Sequence, residues 1–285
     1  MRDFYYHSPS SLAEAHGLLA QYGDAARLMA GGTALTVMLK QSLVQADHLV
    51  SLQRIPGLSG VRLQSDGLHI GALARQRDVE TSDLVKQHAP LLAEAYSHVA
   101  TVRIRNQATV GGGIAHADPA QDPPPALLVL EAKLRLVSRT GQRELPIRQF
   151  YVDYYETALQ PGEVITEVIV PPQLKDARAV YMRYTPRTLD DYPTVSVAVL
   201  ALVQSGICQE VRVALGAAAP TAFRALAVED ALRGQQATPD AVRRAADLVT
   251  QQASPLDDFR GSAGYKRDMA VVFTRRALEQ ALGLA

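Results

Sequence analysis

The chain has 285 residues, of which 47% are hydrophobic and 20% are charged, ordinary values for a globular protein that is long enough for about two domains. Lysine and arginine together number 29 and are balanced by 29 aspartate and glutamate residues, so no net charge directs the chain toward nucleic acid or an acidic membrane. The single cysteine, Cys208, excludes an internal disulfide and any iron–sulfur cluster or zinc ribbon that takes four thiolates from this chain.

No signal-peptide pattern follows Met1, and the longest apolar-looking run, "VSVAVLALV" at 195–203, is well short of the ~20 residues that cross a bilayer. We therefore expect a cytoplasmic protein without a membrane span. Cys208 lies between two strand-like runs, and we expect it to be a packed or turn residue.

The N-terminal region, to about residue 55, predicts a small unit of helices and strands. Ser11 and Glu14 have the spacing of a capping box, apolar residues follow at helical spacing, and Gly23 predicts the end of that helix. A strand at 27–30, a Gly31-Gly32 turn, a helix at about 34–43 and a strand at 47–52 follow.

A second region begins near Pro56, and a third follows the proline-broken stretch 170–178. The second region carries an Asp66-Gly67 hairpin, helices at 76–86 and 91–100, a short helix that begins at prolines, and a strand at 133–138. The third predicts a three-strand meander and then helices near 222–233, 239–252 and 262–282. Strands and helices do not alternate strictly, so the pattern favours an α+β fold in three modules.

Two glycine-rich turns carry the clearest functional signal. Gly31-Gly32 is followed by Thr33, and residues 111–113 are three glycines with Thr109 beside them. Backbone N–H groups at a helix N-terminus bind phosphate, and glycine lets the ligand approach them. Two such loops in one chain predict one ligand with two phosphates; the alternative is a pair of ordinary tight turns.

Other chemistry has little support in the sequence. The G-x-G-x-x-G and G-x-x-x-x-G-K-[ST] nucleotide motifs are absent, as are H-E-x-x-H, C-x-x-C and G-x-S-x-G. His116 and Asp118 form a close His/Asp pair, without a further metal ligand in sight. We therefore predict neither a metal site nor a catalytic acid, base or nucleophile in this chain.

The segments "MAGGTALTVMLK" and "RNQATVGGGIAHADPAQD" resemble the two FAD-diphosphate loops of the medium, flavin-binding subunit of molybdenum hydroxylases, a group that includes the xanthine dehydrogenase and carbon monoxide dehydrogenase families. The resemblance continues, in order, through the segments 150–171, 181–199 and 254–278. It implies a two-lobed flavin-binding region of the vanillyl-alcohol oxidase type, with lobes at 1–55 and 56–172, and a C-terminal α+β domain at 178–285.

The resemblance also implies cofactors and partners. This chain would bind FAD, a small subunit would carry iron–sulfur clusters, and a large subunit would carry molybdopterin, with the complex forming a dimer of heterotrimers. The residues carried over as cofactor-binding are Leu28, Met29, Ala30, Gly31, Gly32, Thr33, Ala34, Leu35, Thr109, Val110, Gly111, Gly112, Gly113, Asp122, Ile165, Arg183 and Tyr192.

Several of these positions have a stated role or a departure from the family. The two loops would hold the diphosphate, Asp122 would bind a hydroxyl-bearing part of FAD, Ile165 would pack near the flavin, and Tyr192 would lie against its ring. Arg183 replaces the lysine that is common near the isoalloxazine. Gly113 replaces an asparagine or aspartate, so a side-chain contact is lost there.

Structural alternatives remain open at three of these places. Asp122 has the position of a helix cap, the tyrosines of 151–155 and Tyr192 suit half-buried strand or interface positions, and Arg183 and Arg187 suit a solvated strand face.

Three functions follow as hypotheses. The first is an electron-transfer flavoprotein subunit that passes electrons from a partner's iron–sulfur clusters to an external acceptor, which could be NAD, a quinone, oxygen or another carrier. The second is a self-sufficient FAD-dependent oxidoreductase with its own small substrate. The third is a cofactor-free assembly module with the same fold.

Overall fold

The computed structural model describes residues 3–284. Its strands are β1 (Tyr5–His7), β2 (Ala26–Met29), β3 (His48–Ser51), β4 (Val61–Gln64), β5 (Gly67–Gly71), β6 (Lys133–Ser138), β7 (Gly141–Pro146), β8 (Tyr151–Asp153), β9 (Glu156–Thr157), β10 (Val164–Val170), β11 (Arg178–Tyr184), β12 (Val195–Gln204), β13 (Ile207–Gly216) and β14 (Phe223–Arg224). Its α-helices are α1 (Leu12–Tyr22), α2 (Thr33–Lys40), α3 (Gln76–Thr81), α4 (Asp83–His88), α5 (Pro90–Ser97), α6 (Val102–Arg105), α7 (Val110–His116), α8 (Pro123–Val129), α9 (Leu226–Leu232), α10 (Pro239–Asp247) and α11 (Ala263–Ala281).

The N-terminal unit is a parallel three-stranded sheet in the order β1-β3-β2, flanked by α1 and α2. Ser11 caps α1 as predicted, because its Oγ accepts a hydrogen bond from the Glu14 N–H at 3.2 Å. The reciprocal bond differs from a capping box, since the Glu14 carboxylate accepts from the Ser10 N–H at 2.8 Å. Gly23 ends the helix with a positive φ of 49°, as predicted. The edge strand β1 was not predicted from the sequence.

The middle region is built on a five-stranded antiparallel sheet in the order β4-β5-β10-β6-β7. The predicted Asp66-Gly67 hairpin is confirmed as the turn between β4 and β5. The central strand, β10, is buried at every position. Its Glu167 carboxylate is neutralised by Arg62 at 2.7 Å, by His69 at 2.9 Å and by a further arginine of β6.

Helices α4 and α7 contact strands of this sheet, whereas α5 and α8 contact strands of the C-terminal sheet. One predicted helix is divided. The stretch 76–86 is not one helix, because Ser82 has extended backbone angles that end α3. Its hydroxyl then accepts from the Val85 N–H at 3.4 Å and caps α4. The proline-initiated helix is confirmed as α8, with prolines at its first positions.

The C-terminal region is a four-stranded antiparallel sheet in the order β11-β12-β13-β14, covered on one face by α9, α10 and α11. The predicted meander is confirmed, with the short strand β14 added. The other face of the sheet packs into the core of the middle region through Tyr181, Ala198 and Leu200. The C-terminal sheet is therefore fixed against the region that carries the second glycine loop.

Candidate functional site

The first glycine loop connects β2 to α2 and leaves backbone donors open at the helix start. Gly32 occupies the N-cap with a left-handed φ of 73° and has no side chain to cap the helix. The N–H groups of the first turn, at Thr33, Ala34 and Leu35, therefore have no acceptor within the helix. Their direction and the helix dipole both favour an anion at this end of α2.

The second loop has a different local structure from the one its glycines suggested. Its N–H groups are already paired within the protein: Val110 donates to the Ala74 carbonyl at 3.0 Å, Gly111 to the Ala72 carbonyl at 2.8 Å, and Gly112 to the Thr109 hydroxyl at 3.2 Å. The prediction that backbone N–H groups are open to a phosphate is therefore wrong for this loop. Its assignment to the cofactor site stays a prediction.

The glycines of the second loop instead permit close packing. A Cβ on Gly111 would lie 2.6 Å from the Ala72 Cβ, and a Cβ on Gly112 would lie 3.4 Å from the Ala30 Cβ of the first loop. Together with the paired N–H groups, these contacts seat α7 directly beside the first loop.

The two loops also meet through backbone. A Cβ on Gly31 would lie 2.3 Å from the Gln107 carbonyl oxygen and 2.9 Å from the Ala108 Cα, so only glycine fits there. The Gln107 Nε2 returns the contact by donating to the Gly31 carbonyl at 3.1 Å. The sequence prediction that the two loops serve one site gains its geometric support from this junction.

Two glutamines that sequence reasoning missed lie at Gly113. The Gln76 Nε2 and Gln121 Oε1 would be 3.0 Å and 3.4 Å from a Cβ at this position. Gln121 donates to the Gly113 carbonyl at 2.9 Å. Gln76 is only 4% exposed, and its Oε1 is buried without a hydrogen-bond partner. No sequence motif marks Gln76, whereas Gln121 could have been noticed because it precedes Asp122.

Asp122 joins the second loop to the C-terminal region. It is 3% exposed, and its Oδ1 accepts from the Tyr181 hydroxyl at 2.7 Å and pairs with the Arg183 Nε at 3.3 Å. Burial raises the pKa of Asp122 to about 7, although the charge of Arg183 and the Tyr181 hydroxyl oppose the rise. Asp122 makes no capping hydrogen bond to α8, so the alternative of a simple helix cap is wrong.

Arg183 is buried rather than solvated, with 7% of its side chain exposed. Its Nη1 donates to the His98 carbonyl at 2.7 Å and to the Leu189 carbonyl at 3.3 Å, and its Nη2 donates to the Asp191 carbonyl. Arg187 is exposed, with its Cζ 5.6 Å from the centre of the Phe259 ring, but it lies in the loop after β11 and not on a strand face.

Tyr192 lies in the connection between β11 and β12 and is 47% exposed. Partial burial and the nearby negative charge of Asp118 raise its pKa. Tyr155 is close by and donates from its hydroxyl to the Asp118 Oδ2 at 3.0 Å. Of the tyrosines in 151–155, Tyr155 is thus an exposed residue with a polar contact rather than a plain strand residue.

Leu28, Met29 and Ile165 lie near the two glycine loops. Leu28 and Met29 end β2, and the Met29 Sδ would lie 3.4 Å from a Cβ on Gly32. Ile165 is buried in β10 at an irregularity of the strand, and the carbonyl of the next residue, Thr166, accepts from the Ala72 N–H at 2.9 Å. Ala72 in turn contacts Gly111, so Ile165 is the chain neighbour of a residue that bonds Ala72.

The structure fits an FAD at the loop junction. The capless start of α2 suits a diphosphate, the glycines keep that approach clear, and the unpartnered Oε1 of Gln76 can accept from a hydroxyl or amine of the nucleotide.

Three other features of the described residues concern Cys208, metal ligands and membrane spans. Cys208 is buried in β13, as predicted, and burial raises the pKa of its thiol. Within residues 3–284, no three His, Cys, Asp or Glu side chains are grouped as a metal site would require. Across the same residues, every helix is too short or too polar to span a bilayer.

Comparison with known families places this geometry in a class of flavoproteins. Residues 2–173 match the family described as "FAD binding domain in molybdopterin dehydrogenase", and residues 180–281 match "CO dehydrogenase flavoprotein C-terminal domain". The chain therefore belongs to the family of FAD-binding subunits of molybdopterin dehydrogenases, which are oxidoreductases.

Individual relatives are similar to this chain over nearly its whole length. The carbon monoxide dehydrogenase medium chain of Hydrogenophaga pseudoflava is 37% identical over 98% of this chain and 96% of its own length. The glyceraldehyde dehydrogenase medium chain of Sulfolobus acidocaldarius is 33% identical over 98% of both. A solved structure of carbon monoxide dehydrogenase from H. pseudoflava, which lacks the Mo-pyranopterin moiety of the molybdenum cofactor, has a TM-score of 0.96, 38% identity, and coverage of 100% of this chain and 99% of that one.

These comparisons confirm the resemblance noted in the sequence, the α+β fold and the FAD-binding character of the chain. The boundaries 1–55, 56–172 and 178–285, and the individual site residues, stay predictions.

Proposed function

We propose that this chain is the electron-transfer subunit of a heteromeric molybdenum-dependent dehydrogenase, which works in the cytoplasm and passes electrons from a partner's iron–sulfur clusters to an external acceptor. Its relatives are named as medium chains, a name that implies a small and a large partner. Under this proposal those partners carry the iron–sulfur clusters and the molybdopterin, and the complex is a dimer of heterotrimers.

The proposal rests above all on the junction of the two glycine loops. The open N–H groups of residues 33–35 would bind the diphosphate, while Thr109 and the glycines 111–113 would form the opposing wall. Asp122 has both of its side-chain partners on Oδ1, so its Oδ2 is the oxygen that would receive a hydroxyl of FAD.

The proposed boundaries between the three regions follow from the part of the site that each region would supply. Residues 1–55 would supply the phosphate loop, 56–172 the second loop and Asp122, and 178–285 the residues Tyr181, Arg183 and Tyr192 near the flavin. All three parts are needed for one site, which is why we keep these boundaries as part of the proposal.

When bound, FAD supplies the redox chemistry of the subunit, since a flavin exchanges electrons both singly and in pairs. The chain's own residues bind and orient it: the start of α2 holds the diphosphate, and Tyr192 covers the ring. The chain contributes one buried cysteine, so four thiolate ligands for a cluster must come from another chain.

The first experiment asks what the isolated chain carries. We expect the purified chain to be yellow, to release all its FAD on acid precipitation because the Gly31-Gly32 turn and residues 109–113 contain no histidine or cysteine for covalent attachment, and to contain no iron or molybdenum. Flavin that stays on the precipitated chain, or stoichiometric iron, would contradict the proposal.

The second experiment asks where the electrons come from. Adding the small and large subunits, expressed from neighbouring genes, should produce substrate-dependent reduction of the flavin that the isolated chain cannot show. If the isolated chain oxidises an organic substrate at a rate on the order of 1 per second or faster, the self-sufficient oxidoreductase replaces this proposal.

A further inference from the structure

The connection between β11 and β12, residues 185–194, is an exposed loop that carries Tyr192. Residues 186–192 are all exposed, and Leu189 is 80% exposed. The base of the loop is closed by the Thr194 N–H, which donates to the Tyr184 carbonyl at 2.8 Å. Such a loop needs another restraint if Tyr192 is to keep one position.

That restraint is the buried guanidinium of Arg183. It leaves β11 immediately before the loop and turns back beneath it, donating to the carbonyls of Leu189 and Asp191. The same Nη1 donates to the His98 carbonyl at the end of α5, and Nε faces Asp122. One side chain thus ties the loop to two elements of the flavin-binding region.

A lysine cannot reproduce this arrangement. Arginine offers five N–H donors in a planar fork, of which three go to carbonyls and a fourth faces a carboxylate here. An ammonium at the end of a flexible chain is a point charge, which can pair with Asp122 but cannot span carbonyls on both sides of the loop. Arginine at this position therefore has a geometric role that its charge alone does not explain.

We propose that Arg183 is a positioning residue, which clamps the β11–β12 loop so that Tyr192 is held over the flavin site. The inference rests on the proposed function, because it takes Tyr192 to lie against the FAD ring. Most of the guanidinium's donors are used within the protein, so Arg183 acts on the flavin through the loop more than by direct contact.

The clamp itself is tested on the cofactor-free chain by hydrogen–deuterium exchange of the peptide that spans 185–194. Arg183→Lys keeps the charge and should speed exchange of this peptide by roughly tenfold or more, because bonds that hold the loop are lost. Arg187→Lys is the matched control on the same loop and should leave exchange unchanged.

The effect on the flavin is tested with the FAD-loaded chain, since a tyrosine in contact with the ring quenches flavin fluorescence. Tyr192→Ala and Arg183→Lys should each raise the fluorescence of the bound flavin, and the double variant should match Tyr192→Ala alone. Equal loop exchange in Arg183→Lys and wild type would overturn the clamp. Additive fluorescence changes would overturn action through Tyr192.

These outcomes are separable from failure of the proposed function. A wild-type chain that binds no FAD removes the flavin arm, but the exchange measurement still decides whether Arg183 restrains the loop. If Arg183→Lys does not fold, which circular dichroism shows, Arg183→Gln provides the second variant, because its amide can reach only part of the same set of carbonyls.

Discussion

The contact between the two glycine loops can be tested by adding one methyl group. In Gly31→Ala the new Cβ would lie 2.3 Å from the Gln107 carbonyl oxygen and 2.9 Å from the Ala108 Cα. Both neighbours are backbone, so no side chain can rotate away. The loop and the segment that leads to Thr109 must separate by about 1 Å to restore an ordinary contact distance.

Gly31→Ala should lower both the stability of the fold and the affinity for FAD. Overpacking of this kind lowers the free energy of unfolding by about 1–3 kcal/mol, a fall in Tm of roughly 2–12 °C for a chain of this size. A displaced first loop also loses at least one charge-assisted hydrogen bond to the diphosphate, worth about 1.5–3 kcal/mol. The Kd for FAD should therefore rise roughly 10- to 150-fold.

The assay is titration of the cofactor-free chain with FAD by calorimetry, together with thermal unfolding. Gly17→Ala is the matched control, because a Cβ at Gly17 in α1 meets nothing within 4 Å. It should leave the Kd unchanged and raise stability slightly, since alanine favours a helix interior. A Gly31→Ala chain with reduced Tm but wild-type affinity for FAD would refute the argument that the loop junction forms the diphosphate site.

Gly32→Asp should abolish FAD binding and keep a wild-type circular dichroism spectrum, because its Cβ would lie 3.4 Å from its nearest neighbour and aspartate tolerates left-handed backbone. Gly112→Asp should also disturb the fold, since its Cβ would lie 2.7 Å from the Thr109 Oγ1. Burial alone would lower the pKa of His69, but its hydrogen bonds to two carboxylates outweigh burial and raise the pKa. The contribution of His69 to the stability of the fold is therefore complete below about pH 6.5 and is lost as the pH rises through the folded-state pKa. Urea unfolding at increasing pH should show this loss in wild type and a flatter profile in His69→Gln. For Asp122 the folded pKa of about 7 lies above the unfolded value of 3.8, so its contribution falls as the pH rises from about 4 to about 7, and the same titration of cofactor-free Asp122→Asn should lack this component.

The elements that the sequence predicted well are those with a local signal. The Asp66-Gly67 turn, the prolines that begin α8 and the alternating strands of the meander each carry their cause within a few residues. The central strand β10 was missed because burial on both faces removes the alternation that marks a strand. The division at Ser82 was missed because one serine can be a helix residue or a cap, and only packing decides which.

The same distinction between local and long-range signals applies to the candidate site. The position of the first loop followed from its glycines, whereas the burial of Arg183 did not follow from any local pattern. Its carbonyl partners are contributed by residues that are 6, 8 and 85 positions away along the chain. Gln76 shows the same limit, since it belongs to α3 and its Nε2 lies near Gly113 of another helix, α7.

The glycines of this chain show what such a pattern can and cannot predict. A run of glycine indicates that something comes close to the backbone, but it does not tell whether the partner is a ligand or the protein itself. Gly32 leaves the start of α2 open, while Gly31 and Gly111 are required because protein atoms occupy the space of a side chain. Under the proposed function the two loops would have complementary roles: the first would offer donors to a diphosphate, and the second, with its own N–H groups already paired, would support the first at a fixed distance. A rigid support keeps those donors in place before the ligand arrives, which lowers the ordering cost of binding. If the proposed site is correct, the glycine-rich second loop is as necessary to it as the first, even where it donates no hydrogen bond of its own.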